Sequence, residues 1–496
     1  MKKIDLFKNI VFGFGGQFIV IVLGIIIPRI MIESYGSDTN GLISTISQIF
    51  SYLALLEAGI GQSARMALYK PLAQKDEEGT LFVYSAALSY YRKISFFYGI
   101  GVLVLSLICP FIIKTWVSSF TVFLITLLEG MSGVVTFFYI QTPSVLFDSD
   151  GKGYINNAIG LGNRIIGYAV KILLAFWSVN IIYLQLAYFM INIVKIFVYK
   201  FFLTRYYPWI IPQKNENADI LKDKNSYVLT EIAWTIFSST DMIVLSIFVS
   251  TELSSVYSVY NMIYSNIYLL LNAVTASLLF VLGQSYRNDI EKYKSIHDSF
   301  TSIILAIITI LMSVSYVLTV PFINLYTDGV ADINYIYTSL PIMFCLVQML
   351  SWSRYVNGNL TALAGYAKQT SYISLAEATI NVVMSIVLVQ KFGIVGVLLA
   401  TVSAMPIKVI WCAYIADKKV LHRSIFNSFL IIGSNFLFFF SVVAIFKFCK
   451  LNISSYIEFG IWGIILTFIF GVANLGMNIL INRQCWTVVK NFICKG

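Results

Sequence analysis

Residues 205–227, RYYPWIIPQKNENADILKDKNSY, decide how the rest of the chain is read. They hold two prolines, four lysines or arginines, three carboxylates and no apolar run long enough to cross a bilayer. On either side the chain is a series of apolar runs, six before and eight after. The stretch therefore reads as a cytoplasmic hinge between two lobes.

Of the 496 residues, 58% are apolar and only 12% charged, far too little polar surface for a water-soluble protein of this size. In lipid an open chain satisfies its backbone groups only as helices, and the runs are of helix length without barrel-type alternation. The expected fold is an all-α polytopic membrane protein. With about 20 residues per crossing, spans fall near 10–32, 42–64, 94–113, 120–140, 155–177 and 181–202. After the hinge come 228–249, 256–283, 302–323, 333–357, 372–389, 394–415, 425–446 and 457–481, giving about 14 in all. The implied organisation is an N-terminal lobe (1–204), the hinge (205–227), a C-terminal lobe (228–416), and two extra helices with a tail (417–496).

The N-terminal MKKIDLFKN precedes an apolar run that lacks a cleavage pattern, so the run reads as the first span. Of 34 lysines and arginines, 24 fall in segments on one side of the membrane and four on the other, which places both termini in the cytoplasm. The net charge of +10 is thereby explained by topology, with no nucleic-acid partner. Six scattered cysteines without a C-x-x-C pair read as packing residues. His297 and His422 read as loop residues, so no metal or cofactor is expected. The segment LFVYSAALSYY, before the third span, reads as a helix lying flat on the inner leaflet.

Sliding the second half along the first by 214 residues places Ser44, Ser47 and Ser51 on Ser258, Asn261 and Ser265. Asn261, Ser265, Tyr268 and Asn272 share one helix face, as do Ser44, Ser47, Gln48 and Ser51. Two such polar stripes at matching places point to a shared water-filled cavity, helix-packing glue being the alternative. Offsets of 213 and 218 bring Lys195 onto Lys408 and Asn163 onto Asn381. Parallel repeats of this kind characterise transporters that hold substrate between their halves.

Ionisable groups at membrane depth are costly and therefore functional candidates. They comprise Glu57, Glu129, Arg164, Lys171, Lys195, Asp241, Arg354, Glu377 and Lys408, with Arg29 and Glu231 nearer span ends. Glu129 and Arg164 count to similar depth and could neutralise one another; Lys195 and Lys408 could snorkel to the interface. The 214-residue offset also sets Asp241 about 3 Å along the axis from Arg29. That suggests an outer gate, against which stand a local Arg29–Glu33 pair and an Asp241–Ser238 bond.

Three runs carry a family resemblance: GFGGQFIVIVLGIIIPRIMIESYG, LEAGIGQSARMALYKPL and LTALAGYAKQTSYISLAEATINVVMSIVLVQKFGIVGVLLATVSA. Within them are Glu57-x-Gly59-Ile60 followed by Arg65, Gly365-x-x-Lys368, Asn381 and Phe392-Gly393-x-x-Gly396; Asp150-Gly151-Lys152-Gly153 is the first-half counterpart of the Gly365 turn. The chain resembles the polysaccharide transporter (O-antigen-type flippase) branch of the multidrug, oligosaccharidyl-lipid and polysaccharide exporter superfamily. Glu57 stands where that motif commonly has aspartate.

The resemblance implies a non-enzymatic flippase of the bacterial cytoplasmic membrane, moving undecaprenyl-diphosphate-linked oligosaccharides for O-antigen, capsule or exopolysaccharide. Its implied partners are that glycan carrier, membrane lipid, and a glycan polymerase with chain-length proteins. Substrate binding then falls to Arg29, Arg164, Lys195, Arg354 and Lys408 for the diphosphate, and to Gln48, Ser51, Asn261, Ser265 and Asn272 for sugar hydroxyls. Glu57, Glu129, Asp241 and Glu377 are the coupling or gating candidates. A drug or metabolite exporter of the same superfamily is the alternative. A membrane-embedded polymerase or glycosyltransferase ranks lower, because the outer loops are short.

Overall fold

The computed structural model describes residues 16–57, 59–211, 225–288, 290–449 and 451–482. Residues 212–224, the middle of the polar hinge, lie outside the described residues, as does the tail from 483 with Cys485 and Cys494. The described residues are helices and connecting turns, with no strand among them. They fall into two compact units that divide after Val256.

The first unit opens with α1, Gly16–Leu53, whose 38 residues would run about 57 Å if straight, nearly twice a bilayer core. Gly36 breaks it with φ 81° and ψ 163°, a backbone state closed to residues with a Cβ. Each arm is then of crossing length, as the two apolar runs require. After a 3₁₀ turn at Ala54–Glu57 come α2 (Ile60–Gln74) and α3 (Glu77–Ile112). Asp76 caps α3 by accepting from the Gly79 amide at 2.9 Å, and Glu77 and Glu78 complement its dipole.

The flat interfacial helix expected at LFVYSAALSYY does not form. Those residues are the first turns of α3, and Val83, Tyr84, Ala87, Leu88 and Tyr91 continue the face that Ile94, Tyr98 and Val102 bury in the core of the unit. One helical stripe spans both segments, so packing inside the protein replaces packing on a leaflet.

Next come α4 (Ser119–Val135), a π turn at Thr136–Ile140 and α5 (Gln141–Ser149), so the fourth span runs beyond its expected end. The antiparallel α6 (Gly153–Phe176) and α7 (Ile181–Tyr206) follow, and beyond the hinge α8 (Asn225–Phe248) packs against α1 within this unit.

The second unit begins inside α9 (Thr251–Asn288) and continues through α10 (Ile290–Tyr326). The tenth span, expected from 333, begins at Leu340 instead. It comprises α11 (Leu340–Ser353) and α12 (Tyr355–Leu363), separated at Arg354. The preceding loop is pinned by Tyr260, whose hydroxyl donates to the Tyr335 carbonyl at 3.0 Å and accepts from the Tyr337 amide at 3.1 Å.

The 48 residues of α13 (Ala367–Tyr414) break at Gly393, φ 53° and ψ −131°. At Gly396 a Cβ would lie 2.3 Å from the Leu388 carbonyl oxygen, so only glycine lets the arms meet there. A π turn (Ile415–Val420) leads to α14 (Phe426–Phe448) and α15 (Tyr456–Ile481), which pack on α10.

Ten of the described helices are long and apolar enough to cross a membrane. Counting both arms of α1 and of α13, and adding α9 and the α11–α12 pair, yields about fourteen crossings. The chain is a multi-pass membrane protein. His297 belongs to α10 and is 1% exposed, a correction to the loop reading. It sits beside Asp298, which receives a two-bond fork from Arg423 at 2.6 Å each while the Arg423 Nε donates to Asp417 at 2.7 Å. This clamp fastens α10 to the turn ahead of α14, which is why the polar run around His297 stays helical.

Candidate functional site

In the first unit the Glu57 motif becomes a polar network. The 3₁₀ turn that ends α1 sets the Glu57 carboxylate to accept from Tyr91 of α3 at 3.0 Å and from the Gln141 amide of α5 at 2.7 Å. In the second turn of α2, Arg65 donates to Gln62 at 3.1 and 3.2 Å and stands 4.0 Å from Asp148, which accepts from Asn156 at 2.7 Å. Glu231, on α8, is exposed and near enough for its charge to act on Glu57.

On the second arm of α1, Ser47 donates to the half-buried Glu129 at 3.4 Å, and Ser51, exposed, donates back to the Ser47 carbonyl; Ser44 and Gln48 are half-buried. Glu129 acts electrostatically on Lys171, whose ammonium lies 4.1 Å from the Tyr188 ring centroid. Among the described residues no Glu129–Arg164 ion pair forms, because Arg164 is on the exposed side of α6 while Glu129 turns toward α1. Arg29 pairs with Glu33 at 2.5 Å. Asp241 is buried on α8, next to Thr240, which meets the Tyr52 hydroxyl at 2.6 Å. Both members of the suggested gate belong to the first unit.

At the α5–α6 turn, Gly151 takes φ 73°, and Asp150 binds Lys152 at 2.5 Å and the Tyr207 hydroxyl at 2.5 Å. Burial, then the bond to Asp150, pushes the Tyr207 phenol above its ordinary pKa and keeps it a donor.

In the second unit Arg354 occupies the break between α11 and α12, and its Nη1 donates to Glu377 of α13; the side chains are 8% and 3% exposed. Lys408, half-buried on the second arm of α13, lies in the field of both charges. Asn381, one turn beyond Glu377, donates to Thr401 at 2.8 Å. Of the second polar stripe, Asn261 and Ser265 are half-buried, Asn272 is exposed and Tyr268 leans on Trp352 with ring centroids 5.4 Å apart.

No family model and no curated protein sequence matches the chain. Solved structures do. An inward-facing multidrug resistance MATE family transporter of the MOP superfamily aligns with a TM-score of 0.67 at 13% identity, over 84% of this chain and 95% of that one. The lipid II flippase MurJ, in an inward closed conformation, aligns with 0.67 at 15% identity, over 94% and 98%. The MATE multidrug transporter DinF-BH aligns with 0.60 at 15% identity, over 82% and 94%. The chain has the MOP transporter fold.

Within this MOP fold the repeat seen in the sequence is repeated in the backbone. The second arm of α1 and α9 start at positions 37 and 251, α6 and α13 at Gly153 and Ala367, and the left-handed turns at Gly151 and Gly365, each pair 214 apart. The last residue of the π turn, Ile140, corresponds in the same way to Arg354. Asn163 therefore matches Glu377; the 218-residue offset that set it on Asn381 is one helical turn too long. The starts of α7 at Ile181 and of the post-Gly393 arm at Ile394 keep Lys195 on Lys408.

Sequence reading missed Tyr91 and Gln141, which hold Glu57. It also missed the polar seam of α1 with α8 and the first turns of α9, where Thr45 meets Ser246 of α8 at 2.5 Å and Asn40 donates to Ser255 of α9 at 2.8 Å. Single Tyr, Gln and Thr residues in apolar runs carry no motif. The one available signal was their recurrence two turns apart, as at Ser37, Thr45 and Tyr52.

Proposed function

We propose that this protein is a flippase that carries an undecaprenyl-diphosphate-linked oligosaccharide repeat unit across the bacterial cytoplasmic membrane by alternating access, for O-antigen, capsule or exopolysaccharide assembly. The observation that supports this most is the grouping of Arg354, Glu377 and Lys408 inside the membrane helices of the second unit. Membrane-depth cations are costly, and phosphate oxygens are the acceptors that best repay guanidinium and ammonium donors. In this reading Glu377 holds Arg354 while substrate is absent. An arriving diphosphate displaces the carboxylate and engages Arg354 and Lys408 together. The released Glu377 is then the coupling or gating group of the second unit.

Arg29 offers a further phosphate contact, and Gln48, Ser51, Asn261, Ser265 and Asn272 offer partners for sugar hydroxyls. Glu57, Glu129 and Asp241 serve coupling or gating in the first unit. The termini lie in the cytoplasm, and a glycan polymerase with chain-length proteins receives the product.

A drug or metabolite exporter is the second reading, favoured by the MATE transporter that aligns as well as MurJ does. Proteoliposomes separate the two. Flipping of a polyprenyl-diphosphate oligosaccharide, without export of a cationic dye, supports the flippase; dye export without lipid flipping replaces it with the exporter.

A further inference from the structure

The repeat leaves positive charge uncompensated in the first half. In the second half Lys408 shares its surroundings with the Glu377 carboxylate, whereas in the first half the matching lysine, Lys195, faces position 163, where an asparagine stands in place of the glutamate. The Asn163 amide donates to Asn192 at 3.2 Å and brings no charge. Arg164, one residue on, adds a second cation whose field acts on Lys195. Among the described residues neither cation has a carboxylate in ion-pair distance; the Lys195 ammonium lies 5.9 Å from the Tyr199 ring centroid, and Arg164 is exposed.

Lys195 and Asn163 are the polar members of a groove between α6 and α7, about 360 Å³ in volume. Its other walls include Gly162, Ile166, Val194, Val198 and Phe202, with Ile166 55% and Val194 58% exposed. From Ile191 to Phe202 the groove runs about 16 Å at helical rise, which is one leaflet of a hydrocarbon core about 30 Å thick. At the end toward which Lys195 leans, Lys200 and Arg205 are exposed. The site thus joins an apolar channel of single-leaflet length, two cations without counter-ions and a basic rim, a combination that suits an anionic lipid head group and its chain.

We propose that the α6–α7 groove binds one anionic phospholipid of the surrounding leaflet, its phosphate on Lys195 and Arg164 and an acyl chain along Gly162, Ile166, Val194 and Val198. This removes the two cations from substrate contact and gives the first half a lipid site where the second half carries an ion pair. A polyprenyl carrier is longer than one leaflet and does not match the groove. The site is independent of the transported substrate and stands whether the protein flips glycolipid or exports drug.

The test uses the full-length protein, stripped of lipid in detergent and titrated with phosphatidylglycerol or phosphatidylcholine of the same chains, read by native mass spectrometry and melting. Expected is one retained phosphatidylglycerol per chain, bound about tenfold more tightly than phosphatidylcholine. Lys195→Gln should erase that preference and Lys195→Arg keep it. Gly162→Phe is the second arm. A Cβ there meets no atom within 4 Å, so the new ring fills the groove without disturbing the helix pair and should abolish retention. Equal affinity for the two lipids in the wild type, or undiminished phosphatidylglycerol binding by Gly162→Phe, would overturn the proposal. So would displacement of the lipid by an equimolar polyprenyl diphosphate, which would assign the groove to the substrate path.

Discussion

Residues 140–206 and 354–414 run the same course, a short helix, a long helix and a returning helix, with the long helices in register at offsets of 214 and 213, yet they solve the charge problem in opposite ways. The second pair carries a carboxylate at Glu377, an arginine at the helix break and a lysine on the returning helix. The first carries Asn163 and Ile140 at the matching places and keeps only the lysine. Backbone architecture is thus shared, since it depends on apolar periodicity and a few glycines, while the chemistry differs through two of these three side chains. A repeat of this kind can give one half to substrate and the other to the membrane without altering the fold.

The most damaging way to break the comparison is to make the second half resemble the first. Glu377→Asn leaves Arg354 buried without its carboxylate, and removal of one partner from a buried pair costs about 3–5 kcal/mol. The melting temperature and yield of the purified protein should fall sharply. Arg354→Met combined with Glu377→Leu should recover most of the loss; equal instability of the double variant would mean that the pair is not what holds α12 to α13.

The reverse change sharpens the contrast. Asn163→Glu places a carboxylate near Lys195 at the position from which Glu377 acts on Lys408, at the loss of an amide hydrogen bond worth about 0.6 kcal/mol on membrane-protein scales. Stability should stay within about 1 kcal/mol of wild type, and the phosphatidylglycerol preference should disappear because the lysine is then neutralised. A variant as unstable as Glu377→Asn would show that the register of 214 does not hold at this position.

How much of this could be read from residues alone depends on the kind of interaction. Crossings were legible because hydropathy integrates over some 20 positions, and the breaks within α1 and α13 because Gly36 and Gly393 sit between apolar runs. The repeat was legible in Ser44, Ser47 and Ser51. Its register at Asn163 was not, because an asparagine one turn past Glu377 offered a chemically better match than the true counterpart, and only the helix starts at Gly153 and Ala367 correct it. The buried helix at LFVYSAALSYY was misplaced because polar flanks mark a surface segment only when no neighbour covers the apolar face, and here the unit's own core covers it. The ties of Glu57 to Tyr91 and Gln141 join residues 34 and 84 positions apart, beyond any local pattern.

The smallest expected effect is at the α1–α8 seam. Thr45→Val removes one hydroxyl from the bond with Ser246 at nearly constant volume, and about 0.6 kcal/mol should be lost. A loss several times larger in the melting profile would make the seam, and not the core of the first unit, the element that holds α8 in place.

Whether the second-half cations meet a diphosphate is tested most directly by the initial rate of polyprenyl-diphosphate oligosaccharide flipping by proteoliposomes carrying Lys408→Gln. Lys408 is half-buried and has no direct ion-pair partner among the described residues, so the variant should melt like the wild type. Its flipping rate should fall about tenfold, the value of one lost charge-assisted phosphate contact. A wild-type rate from a well-inserted Lys408→Gln protein would contradict the assignment of this site to the substrate.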